Sequence, residues 1–195
     1  MRLLIAGWQS QVAKALMARA ARDPKVDACA LCRPGLELAA LPTVQRQFKD
    51  QRPDVIVNAS AYRDVHGAEQ DRAAAMALNR DGAARLTAAA NDVGAAVIHI
   101  SSYRVFAGTG DTPWQPGDPT DPVSFYGESR VAGEEAVRAA SDNHVILRTG
   151  WLLNGTGATF VGKVREAIAG GLSFQAVDDH HGTPSFADET ARAIL

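Results

Sequence analysis

The chain has 195 residues, of which 46% are apolar and 22% are charged. This composition is typical of a folded globular domain and argues against a disordered chain. The formal charge of −2 gives no electrostatic reason to expect a nucleic-acid partner or an acidic membrane surface. No apolar run approaches the roughly 20 residues that a membrane span needs, so we expect a cytoplasmic protein without a membrane partner.

Short apolar runs alternate with longer helical stretches along the whole chain. The runs predict strands at 2–6, 26–31, 54–59, 96–101 and 144–149. Helical patterns lie between and after them, at 11–21, 41–51, 71–93 and 125–140. Beyond residue 150 the pattern predicts a helix at 159–169, a strand at 173–177 and a helix at 186–195.

This regular alternation predicts an α/β fold, a Rossmann-type doubly wound parallel sheet with helices on both faces. In such sheets a ligand binds beyond the carboxyl ends of the strands, where the strand order reverses. The loops that follow residues 6, 31, 59 and 101 are therefore the places to look for a site.

The first predicted strand ends in a turn that is suited to a phosphate. Such a strand–glycine–helix turn presents free backbone N–H groups and a helix N-terminus to an anion. Only the first glycine of the three-glycine dinucleotide fingerprint is present, because Ser10 and Ala13 stand at the later positions. The turn predicts cofactor binding at Gly7, Ser10, Gln11 and Val12, and an ordinary β–α turn remains the open alternative.

The end of the second predicted strand indicates which dinucleotide would be bound. An acid usually binds the adenosine ribose of NAD at this place, but the chain has Cys32-Arg33 there and its nearest acid is Glu37. An arginine here can pair with the 2′-phosphate of NADP. We therefore expect NADP(H) to be favoured over NAD(H), with a solvent-exposed Arg33 as the alternative.

Six motifs, in order along nearly the whole chain, carry a resemblance to a known family. The chain resembles the dTDP-4-dehydrorhamnose reductases, which are extended short-chain dehydrogenases/reductases. The motifs are R-P-D-V-I-V-N-A (52–59), G-A-A-V-I-H-I-S (94–101), G-D-T-P-W (110–114), Y-G-E-S-R-V-A-G-E (126–134), L-R-T-G-W (147–151) and G-T-P-S (182–185).

The resemblance implies a function and the residues that perform it. It implies an oxidoreductase of dTDP-rhamnose biosynthesis that uses NADP(H) to reduce the 4-keto group of a nucleotide-linked deoxysugar. The catalytic residues carried over are Ser102 as a hydroxyl beside the carbonyl, Tyr126 as the general acid and Arg130 as the cation beside it. Tyr126 and Arg130 would also hold the cofactor, together with Ala61, whereas Tyr103 and Trp151 would contact the substrate.

The chain departs from the family around this predicted cleft. Arg130 stands where the family has lysine, and Tyr103 and Arg104 replace an aspartate and a tyrosine. Arginine is larger than lysine and its proton is essentially permanent, so an impaired enzyme is one interpretation. The alternative from another class is a catalytically silent, nucleotide-binding regulatory or scaffold protein on the same fold.

The resemblance also bears on domains and partners. We expect a dinucleotide-binding Rossmann domain at 1–150, and at 151–195 a continuation of its sheet with the beginning of an incomplete substrate domain. The expected partner is a small nucleotide-sugar substrate, and a homodimer is an open alternative because relatives often pair. No metal site is expected, because His180 and His181 are adjacent in sequence and the side chains of adjacent residues rarely point at one metal ion.

Replacement of Arg33 by alanine tests the cofactor preference. If Arg33 binds the 2′-phosphate, NADPH binds more tightly than NADH, and Arg33→Ala removes most of that difference. A charge-assisted contact of this kind contributes roughly 1.5–3 kcal/mol. The measurement is the affinity of wild type and variant for both cofactors, and an unchanged ratio in the variant contradicts the assignment.

Overall fold

A parallel sheet lies at the centre of the computed structural model, which describes residues 1–31, 36–38, 40–153 and 160–195. Its strands are β1 (Arg2–Ala6), β2 (Asp27–Leu31), β3 (Val55–Asn58), β4 (Ala96–Ser102) and β5 (His144–Thr149). They are all parallel and lie in the order β2-β1-β3-β4-β5. The five strands predicted before residue 150 are therefore confirmed, with ends that differ by at most one residue.

Helices connect the strands in chain order. They are α1 (Gln11–Ala20), α2 (Leu41–Gln51), α3 (Val65–Gln70), α4 (Arg72–Met76), α5 (Ala83–Asn91), α6 (Phe125–Ala140), α7 (Phe160–Ala169) and α8 (Ala187–Ile194). The stretch predicted as one helix at 71–93 is instead α4, a π-helical segment at Ala77–Gly82 and α5. Helix α3 was not predicted. It begins at Asp64, whose side chain accepts a hydrogen bond from the Gly67 amide at 2.9 Å.

Two apolar cores cover the two faces of the sheet, because successive side chains of a strand point to opposite faces. On one face Leu4 and Ile56 pack with Phe48 of α2 and Leu86 of α5. On the other face the packed residues come from β1, β3, α1 and α8, and include Leu3, Ile5, Val57, Val12, Leu16 and Ala191. Helices therefore lie on both faces, which confirms the predicted doubly wound architecture.

The order of the strands fixes where a ligand can enter. From β1 the chain moves to β2 on one side and then crosses back to β3 on the other, so the strand order reverses between β1 and β3. At such a point the two following loops separate and leave a crevice at the carboxyl ends of the strands.

Two short strands after residue 150 correct the sequence-based prediction. β6 (Trp151–Leu153) and β7 (Pro184–Phe186) pair with each other in a separate parallel sheet, so among the described residues they do not continue the main sheet. The strand predicted at 173–177 is wrong: this segment has no regular structure and all five of its residues are exposed. Its apolar side chains face outward, with Val177 68% exposed, so the apolar run did not signal a buried strand. In the described part of the chain, no helix is long and apolar enough to cross a membrane.

The turn after β1 generates a stability prediction. Gly7 has a φ of +95°, and a Cβ there would lie 2.8 Å from the amide nitrogen of Ser60. Gly94 has a similar φ of +72° but open space around it, which makes it a matched control. We expect Gly94→Ala to lower the free energy of unfolding by about 1–2 kcal/mol, the cost of a left-handed backbone. Gly7→Ala should cost more because it adds a collision with the segment that follows β3, and equal losses in urea denaturation would contradict this explanation.

Candidate active site

A cleft opens where the strand order reverses, at the carboxyl ends of β1 and β3. One wall is the turn after β1, and another is the segment that follows β3, including Ala61 and Arg63. Three leucines, Leu36, Leu38 and Leu78, supply an apolar side. A cleft with an apolar side and polar turns at its edge is suited to a nucleotide.

The turn after β1 has the geometry of a phosphate cradle. Because Gly7 lacks a side chain, the turn can approach Ser60 at a distance that no Cβ would allow. Ser10 is the N-cap of α1, and its hydroxyl accepts a hydrogen bond from the Ala13 amide at 3.0 Å. The cradle therefore ends at a helix N-terminus, where backbone N–H groups favour an anion.

The other predicted cofactor residues differ in what they offer to a ligand. Gln11 has a buried side-chain oxygen without a hydrogen-bond partner in the described part of the chain. Val12 is buried in the core under β1, so its side chain faces away from the cleft and only its main chain could take part. Arg33 lies outside the described residues. Glu37 lines the cleft.

Helix α6 is fixed with its first turn against the end of β4. The Ser124 hydroxyl caps it by accepting from the Gly127 amide at 3.2 Å, and a Glu69 carboxylate oxygen accepts from the Phe125 amide at 2.7 Å. Gly127 packs directly on the carbonyl of Arg104, where a Cβ would collide. This packing brings Tyr126 to the turn that follows Ser102, and both residues are less than a tenth exposed.

Arg130 lies one helical turn after Tyr126 and is buried, with 2% of its surface exposed. Its Nη2 donates a hydrogen bond to the carbonyl of Ile100 in β4. Burial lowers the pKa of Arg130, although the negative potentials of Tyr126 and Glu134 act in the opposite direction. Its Nε and Nη1 donors have no hydrogen-bond partner among the described residues. Buried donors in native proteins are nearly always paired, so these two require an acceptor that the described residues do not supply.

A neutral histidine forms the polar layer beside Arg130. Burial, and after it the positive charge of Arg130, lower the pKa of His99 to about 3. The Asn58 amide nitrogen lies 3.1 Å from His99 Nδ1, while the Asn58 oxygen accepts from the Ser60 amide at 3.2 Å. This arrangement makes Nδ1 the acceptor and leaves the ring proton on Nε2. The positive charge at this depth is therefore carried by Arg130.

The buried carboxylate of Glu134 ties α6 to β4 and β5. It accepts hydrogen bonds from Ser101 at 2.6 Å, from Arg148 at 2.9 and 2.7 Å and from Arg138 at 3.1 Å. Burial raises the pKa of Glu134, but the hydrogen bonds from Arg148 and Ser101 lower it by more, so the pKa lies below its usual range. The ionised carboxylate thus holds Ser101, the neighbour of Ser102, against the helix that carries Tyr126.

The π-helical segment connects α6 to the cleft. The Asn79 side chain accepts from the Tyr62 amide at 2.8 Å and donates to the Ser129 hydroxyl, also at 2.8 Å. Ser129 in turn donates to the carbonyl of Tyr126 at 2.7 Å. The segment after β3 and the catalytic candidates on α6 are therefore held in one hydrogen-bonded unit.

The two predicted substrate residues contact each other. The indole nitrogen of Trp151 donates to the hydroxyl of Tyr103 at 2.8 Å, although the two residues lie 48 positions apart. Trp151 is 38% exposed and packs on Gly182, where a Cβ would lie 2.9 Å from the indole. This contact joins the two-stranded sheet to the end of β4, next to Ser102.

Sequence reasoning missed three residues that organise the site. Glu134 and Arg148 lie within motifs that carried the resemblance, so a signal was present, but their pairing depends on contact between α6 and β5. Asn79 has no sequence signal, because a π-helical segment leaves no pattern of its own. His180 and His181 are exposed, and the described residues contain no group of three or more potential metal ligands.

The doubly wound parallel sheet and the glycine turn after β1 define a Rossmann fold, which is the fold of the short-chain dehydrogenase/reductase proteins that this chain resembles in structure. The family described as "RmlD substrate binding domain" matches residues 1–195, and the chain belongs to this family of dTDP-4-dehydrorhamnose reductases.

Similar proteins agree with this assignment. The chain is 40% identical to a dTDP-4-dehydrorhamnose reductase of Sinorhizobium fredii over 195 residues, and 37% identical to one of Mycobacterium tuberculosis over 199 residues. It spans 65% and 64% of the length of these two relatives, and both matches cover the whole chain. The solved reductase of Bacillus anthracis in complex with NADP is 28% identical, with a TM-score of 0.94 over 99% of this chain and 69% of that one. A UDP-glucose 4-epimerase of Thermus thermophilus in complex with NAD shares the fold, with a TM-score of 0.84 over 100% of this chain and 73% of that one at 18% identity.

Two arginines on Glu134 allow a matched test of the buried network. We expect Arg148→Met to lower the free energy of unfolding by roughly 3 kcal/mol, because it removes two hydrogen bonds from a buried charge. Arg138, whose side chain is 47% exposed, makes one such bond, and Arg138→Met should cost about 1 kcal/mol or less. Urea denaturation of both variants measures the difference. Equal losses would mean that Glu134 does not depend on Arg148.

Proposed function

We propose that the protein is an NADP(H)-dependent reductase of a nucleotide-linked 4-keto-deoxysugar, in the synthesis of dTDP-rhamnose. The observation that carries the proposal is the buried Arg130, one turn after Tyr126 and bonded to the end of β4, with two donors that lack a partner among the described residues. The names of the relatives support the substrate class.

The residues of the cleft fit a dinucleotide cofactor. The turn at Gly7 offers the close backbone approach and helix N-terminus that a diphosphate needs, and the leucines beside it offer an apolar surface for a base. Nε and Nη1 of Arg130 have no partner among the described residues, and the hydroxyls of a ribose are acceptors of the kind that these donors lack. The bound cofactor supplies a hydride, and the chain's own residues must orient the carbonyl and manage its proton.

Tyr126 protonates the oxygen of the reduced carbonyl in this proposal. Arg130 lies one helical turn after Tyr126 on α6 and brings a positive charge beside the phenol that donates the proton. Ser102 donates a hydrogen bond to the same oxygen and holds it near the phenol. Glu134 and Asn79 keep the strand and the helix in register, so that the two hydroxyls converge on one atom.

The remaining assignments extend this proposal. Residues 1–150 serve as the dinucleotide-binding domain, and 151–195 begin a substrate domain in which Tyr103 and Trp151 contact the sugar nucleotide. Arg33 selects NADP(H) by its charge. A cytoplasmic location and a homodimer remain predictions from the sequence. Neither relative named above is a regulatory or scaffold protein, so the silent alternative has no support from them.

Single-turnover oxidation of NADPH with a saturating dTDP-4-keto sugar tests the proposal. Wild type should oxidise NADPH, and Tyr126→Phe should lower the rate by about 10²–10⁴-fold because the general acid is lost. Arg130→Lys should raise the rate, since a compact ammonium fits closer to the phenol and the ribose. The double variant should lose that gain. Equal, background-level rates in all four proteins would contradict the reductase function.

A further inference from the structure

Three side chains beside Ser102 form a connected stack that the chemistry of reduction does not use. The guanidinium carbon of Arg104 lies 5.4 Å from the centroid of the Tyr103 ring. The hydroxyl of the same ring accepts the 2.8 Å hydrogen bond from Trp151. We call this arrangement, Arg104 over Tyr103 and Tyr103 bonded to Trp151, the arginine stack.

The backbone of Arg104 is held next to the Ser102 hydroxyl, the candidate catalytic group. Its amide donates to the hydroxyl oxygen of Ser102 at 3.2 Å, and its carbonyl packs on Gly127 in the first turn of α6. The side chain therefore starts from a fixed position, directly beside the residues that would flank the reacting carbonyl.

The charge of Arg104 is not neutralised within the described part of the chain. Its guanidinium forms no hydrogen bond or ion pair with any described residue, and it lies over the ring of Tyr103. Other arginines that stack on aromatic rings differ in this respect. Arg148 over Phe106 is paired with Glu134, and Arg72 over Phe125 is paired with Glu69. Of these three arginines, Arg104 is the one whose guanidinium has no hydrogen-bond or ion-pair partner among the described residues, and it is partly buried beside the site.

We propose that Arg104 binds the diphosphate of the nucleotide-linked substrate, an inference that rests on the proposed function. In a pyranose the carbon that bears the diphosphate lies across the ring from C4. A sugar whose C4 carbonyl faces Ser102 and Tyr126 therefore carries its negative charges one sugar ring away, within the reach of a long side chain on the same turn. The planar fork of arginine matches phosphate oxygens in pairs.

The aromatic members of the stack determine how well Arg104 performs this task. The face of the Tyr103 ring attracts the guanidinium and limits its freedom, and the bond from Trp151 limits rotation of that ring. Less conformational entropy is then lost when the phosphate binds. Tyr103 and Trp151 act in this account as positioning residues for Arg104, in addition to any contact with the sugar.

Equilibrium binding of thymidine diphosphate, thymidine monophosphate and thymidine to the whole protein tests the proposal without turnover. We expect Arg104→Ala to weaken binding of the diphosphate by about 10–100-fold and to leave thymidine unchanged, because the lost contact is a charge-assisted hydrogen bond. Arg104→Lys should show a smaller loss, since it keeps the charge but not the fork. Arg46→Ala, an exposed arginine on α2, is the control and should bind like wild type.

The same samples distinguish failure of this inference from failure of the proposed function. Equal diphosphate affinity in wild type and Arg104→Ala overturns the role of Arg104 and leaves the reductase standing. A loss of NADPH affinity in Arg104→Ala, with diphosphate binding unchanged, also overturns it, because Arg104 would then serve the cofactor. If wild type binds NADPH but none of the thymidine nucleotides, the substrate class itself is wrong. Circular dichroism of each variant verifies its fold.

Discussion

Burial of the Arg130 guanidinium is the constraint on which the rest of the site depends. A permanent charge loses most of its hydration at this depth, and only one of its donors is satisfied within the described chain, by Ile100. The neutral His99 adds no second charge, and Glu134 is already occupied by Ser101 and two other arginines. Tyr126 lies one helical turn before Arg130 on the same helix, so in the proposed function the buried cation stands beside the phenol and keeps donors for a ligand.

A second set of buried polar contacts holds the elements that present this charge. Glu134 joins α6 to β4 and β5, and Asn79 joins the same helix to the segment after β3. Both lie under the site and neither faces the cleft. These contacts fix the position of α6 relative to the ends of the strands. A fixed position is needed because the residues on both elements must orient one carbonyl group.

The alternation of apolar runs and helical patterns predicted the fold well. Burial of both faces of the sheet requires a continuous apolar run in each central strand. Strands β1 and β3 lie between two apolar cores, so their continuous apolar runs were reliable signals. The strand predicted at 173–177 was wrong because its apolar residues are exposed. The amino-acid sequence alone does not show whether an apolar side chain is buried or exposed. The candidate site followed from the resemblance to the reductase family, and the spacing on α6 added only that Tyr126 and Arg130 lie one helical turn apart. The bond between Tyr103 and Trp151 could not be predicted, because it spans 48 residues and two sheets.

A crystal structure of the protein with NADPH tests the central claim most directly, since that claim concerns the unpaired donors of Arg130. The account predicts that the diphosphate lies in the turn at Gly7 and that hydroxyls of the nicotinamide ribose accept hydrogen bonds from Nε and Nη1 of Arg130. The nicotinamide ring should then lie next to Ser102 and Tyr126, on the side of these two residues that faces the cleft. A cofactor bound in the cleft with its ribose away from Arg130, and with the two donors still unpaired, would contradict the account.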